Sequence, residues 1–516
     1  MVLLRRLKVA MKTASAQLAE ERTTSEASAA DTSPLSITMA TLRRLERQGT
    51  VDMPAFAALY PRLAQVLPLE LLQRSPAEGL ARLRTHAIEL ARAEVTAALQ
   101  QLHDDSPSLD PGVLKQRRSQ VLLQLKRVAP GRATALAAVE DSRGDICTDG
   151  PGIAGALRSH WQDTFAARRL DRHTRQAWLR KDAACPNGLH AAVQPLLANR
   201  SAWTLRKADI QRALALSSSS APGPDGIPYS AWRRLGPLAA SVLYEAAGEL
   251  SQEQGLESML AASPADEQGN TPFNEAVVVF IPKKAGHVLN GVAFHRPAEA
   301  RPLSIVNTDN RLMANAFRLR VEPLLAQAVS PMQRGFLPGR SMLQNVVEVD
   351  SEMRAASLQS DLAGAVFFDF AAAFPSLAYA YLLEVMTSIQ LPRTLCRFVA
   401  NLYAGNDCRI AAAGGLHEGF SVRSDIRQGC PLSPLLFALC GDLLLRRLHK
   451  ALPEDLLRAY ADDTALVSGD VLRSAATFVP LFAEFAALSG LTLNLSKTVF
   501  ISLNDETLEG QLEHRF

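Results

Sequence analysis

The chain has 516 residues, 47% hydrophobic and 21% charged, enough apolar material for a substantial core and two or three domains. A net charge of +3 is too small to point to a class of partner, and no apolar run reaches the roughly 18–20 residues that cross a bilayer, so no membrane partner is expected. The six cysteines, Cys147, Cys185, Cys396, Cys408, Cys430 and Cys440, lie scattered without paired metal spacing or a dense disulfide framework, which fits a reducing, intracellular compartment.

The first nineteen residues carry Arg5, Arg6, Lys8 and Lys12 and no acid. Such a start suits a nuclear or cytoplasmic protein, with an organelle-targeting leader as the alternative. Residues 1–35 are expected to be disordered, since 13–35 are rich in Ala, Ser, Thr and Glu. Residues 36–140 form a helical N-terminal region, with Leu and Ala at helical spacing in Leu80–Leu102. Two basic clusters follow, Lys115, Arg117, Arg118, Lys126, Arg127 and Arg132, then Arg168, Arg169, Arg172, Arg175, Arg180 and Lys181. Each is either a phosphate-attracting patch or a solvated helix face. Residues 141–219 read as a connector, with Trp161 and Phe165 on one helix face. Ser217–Ser220 and Pro222–Pro228 mark the loop into the main domain, 220–516, and Ala261–Thr271 reads as a linker.

Within that domain Val277–Ile281 reads as a strand followed by Lys283 and Lys284, and Arg301 opens another short apolar run. Two cations beside a cleft suit a triphosphate. The run Ala365-Val366-Phe367-Phe368 ends in Asp369, then turns through Pro375 into a helix near Ser376–Gln390. Gln428 and Gly429 precede a helix at Ser433–His449, where a glycine lets backbone approach a ligand closely. Tyr460-Ala461-Asp462-Asp463 sits between two short apolar segments, the pattern of a β-hairpin with adjacent carboxylates at its turn. An acidic turn alone usually just faces water. If the Asp369 strand lies beside it, three carboxylates meet, and their repulsion calls for cations. Oxygen-only ligands suit Mg²⁺ or Mn²⁺, and two such ions suit an in-line phosphoryl transfer.

These pieces, in this order, resemble the reverse transcriptases of LINE-type (non-LTR) retrotransposons. The series runs Ala221-Pro222-Gly223-Pro224-Asp225-Gly226-Ile227, Val279–Lys284, Arg301-Pro302-Leu303-Ser304-Ile305 and Gln333–Ser341, then the Asp369 strand, Arg427–Pro434, the Tyr460–Asp463 hairpin and Gly490–Thr498. The resemblance covers roughly residues 220–503. It implies an α+β fold: a right-hand polymerase with fingers and palm, an antiparallel sheet backed by helices, and a helical N-terminal extension. It implies an RNA-directed DNA polymerase that adds deoxynucleotides to a DNA primer on an RNA template, with two Mg²⁺ or Mn²⁺ ions.

By the same resemblance Asp369 and Asp462 are metal ligands, Phe370 lends a backbone carbonyl to one metal, and Asp463 completes the acidic site. Lys283 and Arg301 become phosphate contacts, and Gln428 and Gly429 lie beside the incoming nucleotide and template. Phe374 sits where the family places an aromatic ring under the sugar, although by residue type alone it reads as core. Lys497, which follows an amphipathic stretch at Val471–Leu488, matches a lysine that can protonate departing pyrophosphate.

Ala372 and Pro375 replace a Lys and a second Asp common in the family, and the thirteen residues after Leu503 are too few for a thumb. The same chemistry would serve an RNA-templated RNA polymerase or an intron maturase. A third reading is a retroelement remnant that binds nucleic acid without polymerising.

Overall fold

The computed structural model describes residues 1–24, the single positions Leu35 and Thr38, 76–105, and 136–504 with breaks at 137, 169, 219, 256, 258–271, 285 and 290–291. The end of the stretch expected to be disordered, most of 36–140 with its Lys115–Arg132 cluster, the Ala261–Thr271 linker and everything after Asn504 lie outside the described residues. The chain divides into two compact units, one of residues 1–11 and 134–516, the other of residues 12–133.

The second unit contains helix Pro76–Asp105, which spans the periodic stretch read from the sequence. Leu83, Ala87, Ala91 and Val95 recur every four residues along it and are buried, the stripe an amphipathic helix needs. Disorder was expected over 1–35, but residues Val2–Thr24 are helical. The reason is tertiary. Leu4 is buried, and Leu7 and Met11 pack against the main core of the first unit, a gain that composition alone does not reveal.

Among the described residues the first unit holds eight main strands: β1 (Ala276–Pro282), β2 (Ala300–Val306), β3 (Gly364–Phe368), β4 (Asp407–Ala412), β5 (Gly415–Ser421), β6 (Leu456–Tyr460), β7 (Asp463–Ser468) and β8 (Val499–Ser502). They form two four-stranded sheets. The first has the order β6-β7-β3-β8 and is antiparallel throughout. The second has the order β2-β1-β4-β5, in which β1 and β4 run parallel. The fold is therefore α+β, with a mixed sheet beside the antiparallel one. No hairpin links β1 to β4; the long chain between them is what allows a parallel pairing.

Helices Ser433–Ala451 and Val471–Ser489 cover one face of the first sheet. Phe368 of β3 lies 4.6 Å from Phe482 and 5.2 Å from Phe478, ring centre to ring centre. Val471–Ser489 is long and apolar enough to cross a membrane by length and composition, although Arg473 and Glu484 interrupt it. Here its Phe478, Phe482, Phe485 and Leu488 are core, and Glu484 accepts the Trp178 indole N–H at 2.7 Å.

A second core lies at the other sheet, where Ile153, Leu157, Trp161 and Phe165 meet Val278, Phe280 and Ile410. Helix Gly150–Trp161 is started by Asp149, whose carboxylate accepts the Gly152 N–H. The stretch read as a connector is thus packed into the unit: Arg175 also grips Glu384 through two hydrogen bonds of 2.7 Å. The helix expected at Ser376–Gln390 is divided into Ala373–Ser376 and Tyr379–Ser388. Pro375 sits inside the first piece. The break arises because Leu377 accepts from Asp425 N–H and Ala378 donates to Ser489, long-range backbone pairings that replace helical ones.

Candidate active site

The acidic hairpin forms as its pattern suggests. Tyr460 pairs with Asp463, leaving Ala461 and Asp462 as a two-residue turn. Ala461 has φ +60°, the left-handed region that such tight turns require and that alanine adopts at a cost. In the neighbouring ladder Thr464 pairs with Phe368, so the next step of the register sets Asp463 against Asp369. Adjacent strands are about 4.8 Å apart, and the three carboxylates crowd one end of the sheet.

Their electrostatics carry the mark of that crowding. Burial raises the Asp462 carboxyl above its ordinary range; its own backbone amide opposes this, while Asp463 and Asp369 add to the rise and Arg301 counters it. Burial also raises Asp463, with Asp369 adding repulsion. Lys497 sits in the turn after Asn494 and places its Nζ 3.8 Å from Asp369 Oδ2. Asn494 N–H donates to the Asp369 carbonyl at 2.7 Å, which fixes that turn to the strand end.

Cations face the carboxylates from the second sheet. Arg301 is exposed on β2, opposite Ile281 of β1. Lys283 follows β1, with its N–H bonded to the Glu299 carbonyl at 2.8 Å and its Nζ to Ala298 O at 3.0 Å. Partial burial lowers the Lys283 ammonium, Lys497 and Arg301 lower it further, and Asp369 opposes them. Three cations and three carboxylates therefore share one field.

The Gln428–Gly429 loop is tied to β2, the strand that carries Arg301. Gln428 O accepts Ser304 N–H of β2 at 2.9 Å. Its Oε1 is buried and has no hydrogen-bond partner among the described residues, so it is available to a ligand donor. Gly429 has φ +125°, and a Cβ there would lie 2.5 Å from Ser304 O. Both facts require glycine.

Phe374 is half-buried. Its ring stacks on Phe437 at 4.7 Å and 6°, and Phe336 meets it edge-on at 6.2 Å. Phe336, itself 43% exposed, also lies 6.3 Å from the Tyr460 ring. Phe370 points its ring away from the carboxylates, into the core against Phe482; only its backbone can face the site.

Asp369, Asp462, Asp463, Lys497, Lys283 and Arg301 are brought together, with Phe374, Gln428 and Gly429 at the margin. The run Gln333–Ser341 was legible only as a motif without roles. In the structure Gln333 is 1% exposed and hydrogen-bonded to Ala461, 128 residues away along the chain, a partnership with no local signal.

Whether cations fit here follows from the donor set. Carboxylate oxygens whose protonation is favoured by burial and mutual repulsion are relieved by a divalent ion. Among the described residues no group of three or more His, Cys, Asp or Glu side chains is drawn together closely enough to hold a metal ion by itself. An open set of carboxylates leaves positions for phosphate and water oxygens, which is how Mg²⁺ is commonly held.

Residues 281–513 match the family described as reverse transcriptase (RNA-dependent DNA polymerase). Similar proteins include a retrovirus-related Pol polyprotein from the type-2 retrotransposable element R2DM of Drosophila melanogaster, 26% identical over 59% of this chain and 27% of its own length. The transposon TX1 uncharacterized 149 kDa protein of Xenopus laevis is 26% identical over 60% of this chain and 22% of its own. A Pol polyprotein from the type-1 element R2 of Nasonia vitripennis is 23% identical over 52% and 23%. The chain spans about a quarter of the length of these relatives. The acidic strand ends, the facing cations and the glycine loop all lie inside or beside the segment that matches the reverse transcriptase family, and over that region the chain is similar to the R2 and TX1 retrotransposon proteins.

Proposed function

We propose that this chain is an RNA-directed DNA polymerase that extends a DNA primer on an RNA template with deoxynucleoside triphosphates. The observation that carries the reading is the meeting of Asp369, Asp462 and Asp463 at adjacent strand ends, faced by Arg301 and Lys283. In this reading the antiparallel sheet is the palm, the mixed sheet belongs to the fingers, and the N-terminal helices are an extension. A nuclear or cytoplasmic location goes with it.

Reverse transcriptases use divalent metal ions. Asp369, Asp462 and the Phe370 carbonyl would hold two Mg²⁺ or Mn²⁺ ions, with Asp463 completing the acidic site. Such ions supply activation of the primer hydroxyl and charge neutralisation on the phosphates. The bond formed joins the primer 3′ oxygen to the α-phosphorus; the bond broken releases pyrophosphate.

Arg301 and Lys283 bind the triphosphate from the opposite side of the cleft. Lys497, beside Asp369, holds a proton near the departing pyrophosphate. Gln428 and Gly429 border the incoming nucleotide and template. The Phe374 ring, backed by Phe437, lies under the sugar and disfavours a 2′-hydroxyl.

The test is primer extension by the purified chain on RNA and DNA templates, supplied in turn with deoxy- and ribonucleoside triphosphates. DNA synthesis on the RNA template is the expected result. Extension with ribonucleotides alone would reassign the chain as an RNA polymerase, and none under any condition would leave a binding remnant.

A further inference from the structure

The turn that carries Asp462 is held from outside its own hairpin. Ala461 N–H donates to Gln333 Oε1 at 2.9 Å, and Gln333 Nε2 donates to Ala461 O at 3.0 Å. One buried carboxamide thus satisfies both backbone groups of the left-handed residue. The same Oε1 accepts Gly335 N–H at 2.8 Å, which closes the loop around the side chain. Gly335 lies so close that a Cβ on it would stand 2.0 Å from Ala461 N. The contact is extended along β6: Ala459 N–H donates to Met332 O at 2.9 Å, and Ala459 O accepts Arg334 N–H at 2.8 Å and Asn345 Nδ2 at 3.0 Å. Glu348 then joins Arg334 to Arg458.

We infer that Gln333 is a positioning residue for the nucleotide-transfer reaction, holding the Ala461–Asp462 turn in the left-handed form that presents Asp462 and Asp463 to Asp369. This rests on the polymerase reading above. Alanine does not keep φ near +60° unaided. The fit of one amide to both the N–H and the C=O of Ala461 supplies what the residue type lacks. Without it the turn relaxes and the carboxylates move, and a misplacement of about 1 Å costs on the order of 100-fold in rate.

The test uses the full chain with Gln333→Met, which keeps length and loses every hydrogen bond. Hydrogen exchange without metal or nucleotide is expected to quicken across 457–464 while β1 and β2 stay protected. In single-nucleotide incorporation kcat is expected to fall about ten-fold or more, with KM for the triphosphate changed less than about three-fold. Ala461→Gly, added to Gln333→Met, is expected to restore most of the loss, because glycine takes positive φ freely. Should Gln333→Met fail to fold, Gln333→Asn keeps the amide but withdraws it by one methylene, and the same local signature is expected. Unchanged exchange at 457–464, or a global loss of protection without rescue by Ala461→Gly, overturns the inference. If the unmodified chain extends no primer, the polymerase reading fails alone, and the exchange measurement still decides the role of Gln333.

Discussion

Asp425→Gly should make the protein more stable, by an amount that grows with pH. Asp425 is 1% exposed, has φ +152°, and its Oδ1 has no hydrogen-bond partner among the described residues. Burial pushes its carboxyl well above the usual range, and Arg427 opposes this without offsetting it. Burial thus favours the protonated form of this carboxyl, which sits in a strained backbone. Relieving the strain recovers about 1–3 kcal/mol, and removing an unpaired buried acceptor about 1–3 kcal/mol. Glycine's extra freedom in the unfolded chain takes back about 1 kcal/mol, leaving a gain of at least about 1 kcal/mol. The raised folded-state pKa means that the native protein binds the proton more tightly than the unfolded chain. Its stability therefore falls as pH rises from about 4, the unfolded value, towards the raised one, by up to about 1.4 kcal/mol per unit. The glycine variant lacks that slope. Urea unfolding of both proteins between pH 5 and 8, read by fluorescence, measures the difference. A loss of about 3–5 kcal/mol on substitution would refute the reasoning, since it would mean that Asp425 is ionised and balances the buried Arg427.

Lys8→Met should destabilise the first unit by about 3–5 kcal/mol, because Lys8 Nζ lies 2.7 Å from Asp225 Oδ2 and 3.0 Å from Asp309 Oδ2, both buried. Burial alone would lower the Lys8 ammonium, but the two carboxylates outweigh it and hold it above the usual lysine value; adding Asp309→Asn should recover part of the loss in a denaturant titration. Phe374→Ala should raise incorporation of ribonucleotides relative to deoxyribonucleotides in competitive extension. An unchanged ratio in a folded variant would return Phe374 to a packing role beside Phe437.

What could be read locally was read closely. The strand expected at Val277–Ile281 is Ala276–Pro282, and the helices expected at Ser433–His449 and Val471–Leu488 run Ser433–Ala451 and Val471–Ser489. Each carries its own apolar period or cap, so neighbours along the chain suffice. The acidic hairpin was legible because charges end apolar runs, an arrangement that burial alone would not favour. Long-range partnerships were not legible. Lys8 and Asp309 are separated by 301 positions and Gln333 and Ala461 by 128, and no periodicity links them. The same limit explains helix Val2–Thr24, whose apolar anchors meet a core assembled from distant segments, and the break at Leu377–Ala378, where backbone groups pair across the fold.

The most direct test of the account compares the chain with its Asp369→Asn and Asp462→Asn variants in primer extension on an RNA template with Mg²⁺ and deoxynucleoside triphosphates. Circular dichroism and hydrogen exchange establish that each variant is folded. The account predicts extension by the unmodified chain and none above background by either variant, since each removes a carboxylate from the strand-end group without changing its size. Extension at the unmodified rate by a folded Asp369→Asn or Asp462→Asn protein would contradict it.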